Sequence, residues 1–119
     1  MFYRLKTKIW QWLNQPVPPS YMIYLGRNVP VGSSLDFDYV NDEMLSVFLN
    51  EQPYFDSFTI WEARGAWRGE FEDTIIIEVF DTDFDIIKMF AYLYMRSYDQ
   101  EAVYLKISNT QTELIEKEE

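Results

Sequence analysis

The spacing of apolar residues switches between a period of two and a period of about 3.6 several times along this chain, and the order of those switches restricts its topology more than any single motif does. "YMIYLGRNV" (Tyr21–Val29), "FDSFTIWEARG" (Phe55–Gly65), "DTIIIEVF" (Asp73–Phe80) and "EAVYLKIS" (Glu101–Ser108) are short and rich in branched and aromatic residues, which predicts four strands. Between the first and second, Val40, Met44, Val47 and Phe48 form a helical stripe, with Ser33 or Ser34 expected as its cap and Asp36 and Asp38 at the positive end of its dipole. After the third, Ile87, Phe90, Ala91 and Tyr94 repeat at helical intervals behind Asp81 or Asp83 as the cap. The order β-α-β-β-α-β predicts an α+β domain of the ferredoxin-like, split βαβ type, in which two helices cover one face of a four-stranded antiparallel sheet.

Two terminal segments flank this domain, which is expected to span 21–110. Residues 1–20 carry Arg4, Lys6 and Lys8 and no acid, and Phe2, Leu5, Ile9, Trp12 and Leu13 fall at helical spacing before "QPVPPS" stops them. That head is expected to be a basic amphipathic helix followed by a proline-rich linker. Residues 111–119 form an acidic end. No uninterrupted apolar stretch has the length of a membrane span or a signal peptide, so the expected location is cytoplasmic, or membrane-peripheral through the head.

Of 119 residues, none is cysteine and none is histidine. Disulfides, thiolate metal sites, thiol nucleophiles and histidine general bases are therefore excluded, and no cofactor, metal site or catalytic residue is expected. Twenty acids against ten bases give a net charge of −10, unfavourable for holding a phosphate backbone. Carboxylate pairs such as Glu62 and Glu78 are frequent by chance at this acidity, and Asp81, Asp83 and Asp85 lack the glycine and distal glutamate of a calcium loop.

Alternation puts Ile75, Ile77 and Val79 on one side of the third strand and Ile76, Glu78 and Phe80 on the other, with Tyr104 and Lys106 on the corresponding side of the fourth. The second strand leaves open which of its two sets, Phe58, Ile60, Glu62 and Arg64 or Thr59, Trp61 and Ala63, faces inward. The face turned away from the helices is then apolar enough to call for a partner protein, a second copy or a small ligand, with Glu62 and Arg64 as further candidates on it. "GAWRGE" (Gly65–Glu70) is expected to be a bulged loop, too long for the tightest hairpin, that aims Trp67 and Arg68 over an adjacent face. The candidate binding residues are Trp67, Arg68, Ile76, Glu78, Phe80, Tyr104 and Lys106. Arg4, Lys6, Lys8, Trp10 and Trp12 are the candidates for contact with a membrane or a partner.

Between about Ile23 and Val103 the blocks "YLGRNVPVG", "LDFDYVNDEMLSVFLNE", "FDSFTIWEARGAWRGE" and "TIIIEVF" together resemble a family of short bacterial proteins classified as a domain of unknown function. The resemblance implies the same fold and packing roles for Gly26, Gly65, Trp67 and Glu78, and it implies no mechanism. The functional expectation is a non-enzymatic, acidic protein-interaction module, an accessory subunit or an inhibitor of the nucleic-acid-mimic type, dimeric through the open sheet face. The alternatives are a membrane-peripheral subunit anchored by the head, and a small-ligand-binding domain or carboxylate-based enzyme.

Overall fold

A computed structural model describes residues 19–51 and 55–108. The expected head helix, with Arg4, Lys6, Lys8, Trp10 and Trp12, and the acidic end 111–119 lie outside the described residues. Six elements follow in the order β1 (Ser20–Gly26), α1 (Asp42–Glu51), β2 (Phe58–Trp67), β3 (Glu70–Val79), α2 (Phe84–Ser97) and β4 (Tyr104–Ser108). The strands make one four-stranded antiparallel sheet in the order β2-β3-β1-β4.

Register settles the two faces. Ile23 lies opposite Ile77 on one side and Leu105 on the other, while Tyr24 lies opposite Ile76 and Tyr104. Because directly opposed residues point the same way, Tyr21, Ile23, Leu25, Ile75, Ile77 and Val79 share one face. They pack in a single core with Leu45 and Phe48 of α1 and Ile87, Phe90 and Tyr94 of α2. Aromatic rings knit the two helices together. Phe48 meets Phe90 at 5.4 Å, Tyr94 at 5.6 Å and Tyr98 at 5.8 Å between ring centroids, each near the edge-to-face arrangement that ring quadrupoles favour.

α1 begins later than its serines suggest. Asn41, not Ser33 or Ser34, caps it by accepting the Met44 N–H at 2.9 Å, and Asp42 and Glu43 occupy the first turn. Ser33 instead accepts the Leu35 N–H within the loop. Val40, assigned by spacing to the helix, is a buried loop residue, and Val47 is exposed. That loop is held as a near-strand by the Asn28–Tyr39 bridge and by backbone bonds from Val29 to Asp38 and from Val40 to Arg27, so residues 33–40 cannot wind into the helix. At α2, Asp83 is the N-cap residue, but its side chain makes no capping bond.

Tyr94 ties α2 to the end of β1, its hydroxyl donating to the Gly26 carbonyl at 2.7 Å. Burial pushes its phenol well above the ordinary 10.0, and burial raises Tyr98 too. In the unfolded chain both ionise near pH ~10, whereas the folded chain keeps their protons, so the stability they contribute is complete below ~10 and declines as pH rises further. Tyr94→Phe is expected to lower stability by about 1 kcal/mol at pH 7, for the bond lost to Gly26, and to flatten the alkaline decline. Urea midpoints measured from pH 7 to 11 check both parts.

Candidate functional site

"GAWRGE" proves to be the end of a long, tight hairpin and not a loop between strands. Trp67 lies opposite Glu70, so the turn consists of Arg68 and Gly69 alone, at φ 50° and 84°. Two successive positive φ values give the turn whose twist matches that of paired strands, and Gly69 supplies one of them without a Cβ to clash. Gly65 sits within β2, opposite Glu72.

β1 accompanies β3 only as far as the Gly26–Thr74 pair and the Arg27 N–H bond to the Asp73 carbonyl at 3.1 Å, so the hairpin from Gly65 to Glu72 continues without a backbone partner from β1. β2 and β4 are the two outer strands of the sheet, with β3 and β1 between them. In a flat sheet three strand spacings would hold their residues about 14 Å apart. Nevertheless the Trp67 ring meets that of Tyr104 edge-on at 5.8 Å, and Arg68 Nη2 lies 3.3 Å from Glu101 Oε2. The free arm therefore curls over the open face, and the Arg68 guanidinium lies over the Trp67 ring at 5.3 Å.

Beneath the arm is a cleft of about 750 Å³, a size typical of sites for small organic ligands. Trp67, Tyr24 and Tyr104 give it aromatic walls, and Gly26, Thr74 and Ile76 line it from the sheet. Glu72 is its anchored carboxylate. One of its oxygens accepts the Asn28 N–H at 3.3 Å and takes the space beside Gly26 that a Cβ would fill, since an added Cβ would lie 2.8 Å from the carboxyl carbon. A Cβ added at Gly26 would therefore have to displace the Glu72 carboxylate, the far end of a flexible side chain, from this position. Glu70 and Glu101 add two further acids to the same space.

Of the candidate binding residues, Trp67, Arg68, Tyr104 and Ile76 line this cleft, and Arg64 of β2 borders it as well. Ile76, at 8% exposure, is covered between Tyr24 and Trp61, its cross-strand neighbours. Glu78 and Lys106 lie one row further along the same face, both opposite Met22. Phe80 follows the end of β3 and does not join them. Glu62 and Arg64 are on the helix side: Glu62 opposes Ile75 and Arg64 opposes Asp73, which settles the inward set of β2 as Phe58, Ile60, Glu62 and Arg64. Tyr24 and Glu72 went unselected, although alternation from Ile76 and Glu78 places Glu72 on the open face and alternation along β1 does the same for Tyr24.

On the helix side of the arm a second hollow, of about 540 Å³, surrounds Arg27. Arg27 donates from Nε to the Val40 carbonyl at 2.7 Å and from Nη2 to Asp42 at 2.6 Å, lies over the Tyr39 ring at 5.0 Å and has Glu62 at 3.9 Å. Tyr39 in turn donates to Asp73 at 2.9 Å. Nε and Nη2 of Arg27 have close partners and Glu62 stands more loosely beside Nη1, so this hollow is a brace between β1, the 28–40 loop and the hairpin, which Tyr39 joins through Asp73. Among the described residues no group of His, Cys, Asp and Glu has the arrangement to hold a metal ion, and no helix is long and apolar enough to cross a membrane.

No family model matches the chain, and no curated protein does. Among solved structures it is similar to a phage SAM lyase in complex with S-methyl-5'-thioadenosine, with a TM-score of 0.57 and 16% identity over 79% of this chain and 82% of that one. The same comparison with a phage SAM lyase in the apo state gives a TM-score of 0.52 and 17% identity over 80% of this chain and 82% of that one. At such identities the likeness is one of fold.

Proposed function

We propose that the chain is a ferredoxin-like domain that binds an adenosyl sulfonium compound under the curled hairpin arm and releases from it an adenosine thioether. The element order β-α-β-β-α-β and the strand order β2-β3-β1-β4 support the fold assignment. The observation that carries the functional reading is the aromatic, acidic cleft of about 750 Å³ on the open face. Its support from outside is the fold likeness to a phage SAM lyase that holds S-methyl-5'-thioadenosine.

The chemistry suits the residues. A purine offers a flat face to Trp67 and Tyr104, and a sulfonium cation is favoured by aromatic faces and by Glu72 and Glu70, Glu101 being paired with Arg68, in a chain of net charge −10. When the C–S bond breaks, sulfur keeps the electron pair and departs as a neutral thioether. The leaving group needs no proton, so a chain without histidine or cysteine is not handicapped. The carbon left behind is satisfied by losing a neighbouring proton to a carboxylate or by bonding to a carboxylate oxygen of its own fragment. Both outcomes balance without water, metal or reductant.

Calorimetric titration with S-adenosylmethionine and with S-methyl-5'-thioadenosine, followed by chromatography of the products, tests this reading. Trp67→Ala is expected to weaken both ligands about 10- to 100-fold, the effect of removing one stacking ring. Glu72→Gln is expected to weaken the sulfonium about tenfold, to leave the neutral thioether nearly unchanged and to suppress thioether release. Equal affinities of both variants and the parent chain would remove the cleft from consideration.

A second reading, a protein-interaction module, is favoured by the exposure of Tyr104 (65%) and Trp61 (38%) on the open face. An accessory subunit or inhibitor would then use Trp67, Arg68 and Tyr104 against its partner. Adenosine thioethers would compete with such a partner, whereas a partner binding elsewhere would be indifferent to them.

A further inference from the structure

We infer that two copies of this chain join through the outer edges of their β2 strands, antiparallel about a two-fold axis at Ala63, so that the two sheets continue as one. Among the described residues β2 has β3 on one side and no strand on the other. The edge is ten residues long, and Phe58, Ile60 and Trp61 are each about two-fifths exposed on it. It contains none of the lysines or prolines that commonly block such edges.

The sequence of β2 is complementary to itself in that one register. With Ala63 opposite Ala63 of the copy, Glu62 faces Arg64 and Arg64 faces Glu62, giving two opposite-charge pairs on the helix side. On the open side Trp61 falls opposite Gly65, where a large ring covers a residue that has no side chain, and Thr59 falls opposite Trp67. Ile60 meets Ala66. The main-chain ladder runs from Thr59 to Trp67 without a break in the face pattern.

The neighbouring registers are penalised. Keeping both sets of helices on one side allows slips of two residues only, because the side-chain period is two. Centring on Glu62 puts Glu62 opposite its own copy, and centring on Arg64 does the same with Arg64; like charges in direct opposition destabilise a pair. Within the chain neither charge is firmly engaged. Glu62 stands 3.9 Å from Arg27 with its side chain 75% exposed, and Arg64 lies over the exposed ring of Phe71.

Sedimentation equilibrium of the full chain tests the inference, with E62R, R64E and the double variant E62R/R64E beside the parent. The parent is expected to sediment at twice the chain mass, each single reversal to raise the dissociation constant about tenfold or more, and the double reversal to restore it to within about threefold. Since the chain has no cysteine, Ala63→Cys supplies an independent measurement: oxidation is expected to give a disulfide-linked pair, while Val47→Cys, exposed on α1, gives none. A parent chain that sediments singly at ~100 µM overturns the inference. So do single reversals without effect, a double reversal that fails to restore association, or an Ala63→Cys chain that forms no linked pair.

Discussion

Replacing Phe90 by alanine is expected to destabilise the domain by about 3–5 kcal/mol. Phe90 is fully buried on α2 and touches ring systems on both sides, Phe48 at 5.4 Å and Phe55 at 5.0 Å. Its removal forfeits the transfer of an aromatic ring out of water and leaves a hole that Phe48, already wedged against Tyr94 and Tyr98, cannot move to fill. A domain of this size has only about 5–15 kcal/mol in total, so the variant should sit close to the unfolding threshold. Urea unfolding with an unchanged slope and a much lower midpoint is the expected result. A shift worth less than about 1 kcal/mol would mean that the helices do not share a core over the sheet.

The second large effect is expected at Arg27, which is 5% exposed although it carries a full charge. Arg27→Ala strips the Val40 carbonyl of its 2.7 Å donor and separates the 28–40 loop from the entry to α1. Breaking a buried pair costs about 3–5 kcal/mol when the orphaned partner stays buried. Here the partner, Asp42, has a side chain 83% exposed and regains water, so the expected cost is smaller, about 2–3 kcal/mol. Removing Asp42 instead strands the guanidinium in its buried position with Glu62, 3.9 Å away, as the other acid in reach. Asp42→Ala should therefore cost more than a surface acid ordinarily does, and the double variant should cost clearly less than the sum of the two singles. A double-mutant cycle by chemical denaturation measures that coupling; additivity would show that the pair is not energetically joined.

The strands and the second helix were legible from residue spacing, because "TIIIEVF" and the Ile87, Phe90, Tyr94 stripe bury the faces their periods mark. The start of α1 was not. Ser33, Ser34, Asp36 and Asp38 have the chemistry of a helix entry, but the pairing of Asn28 with Tyr39 and the reach of Arg27 to Val40 are long-range contacts that no local pattern announces. The hairpin tip was misjudged for a similar reason. Two glycines four apart suggest a loop, whereas the turn uses Arg68 in a left-handed conformation and leaves Gly65 in the strand. Trp67 and Arg68 were recognisable as unusual side chains, but their contact with Tyr104 and Glu101 depends on the curl of an unsupported hairpin. Glu72 looked like one acid among twenty, because only the folded structure shows its side chain reaching past Thr74 to Gly26.

The most direct test of the account is a ¹⁵N NMR titration of the chain with S-methyl-5'-thioadenosine, following backbone amides together with the indole N–H groups of its four tryptophans. Binding beneath the arm should move the Trp67 indole and the amides of Gly26, Glu72 and Tyr104 in step, with one saturation curve, and leave Val47 on α1 still. No saturable shifts, or shifts that avoid those four residues, would contradict it.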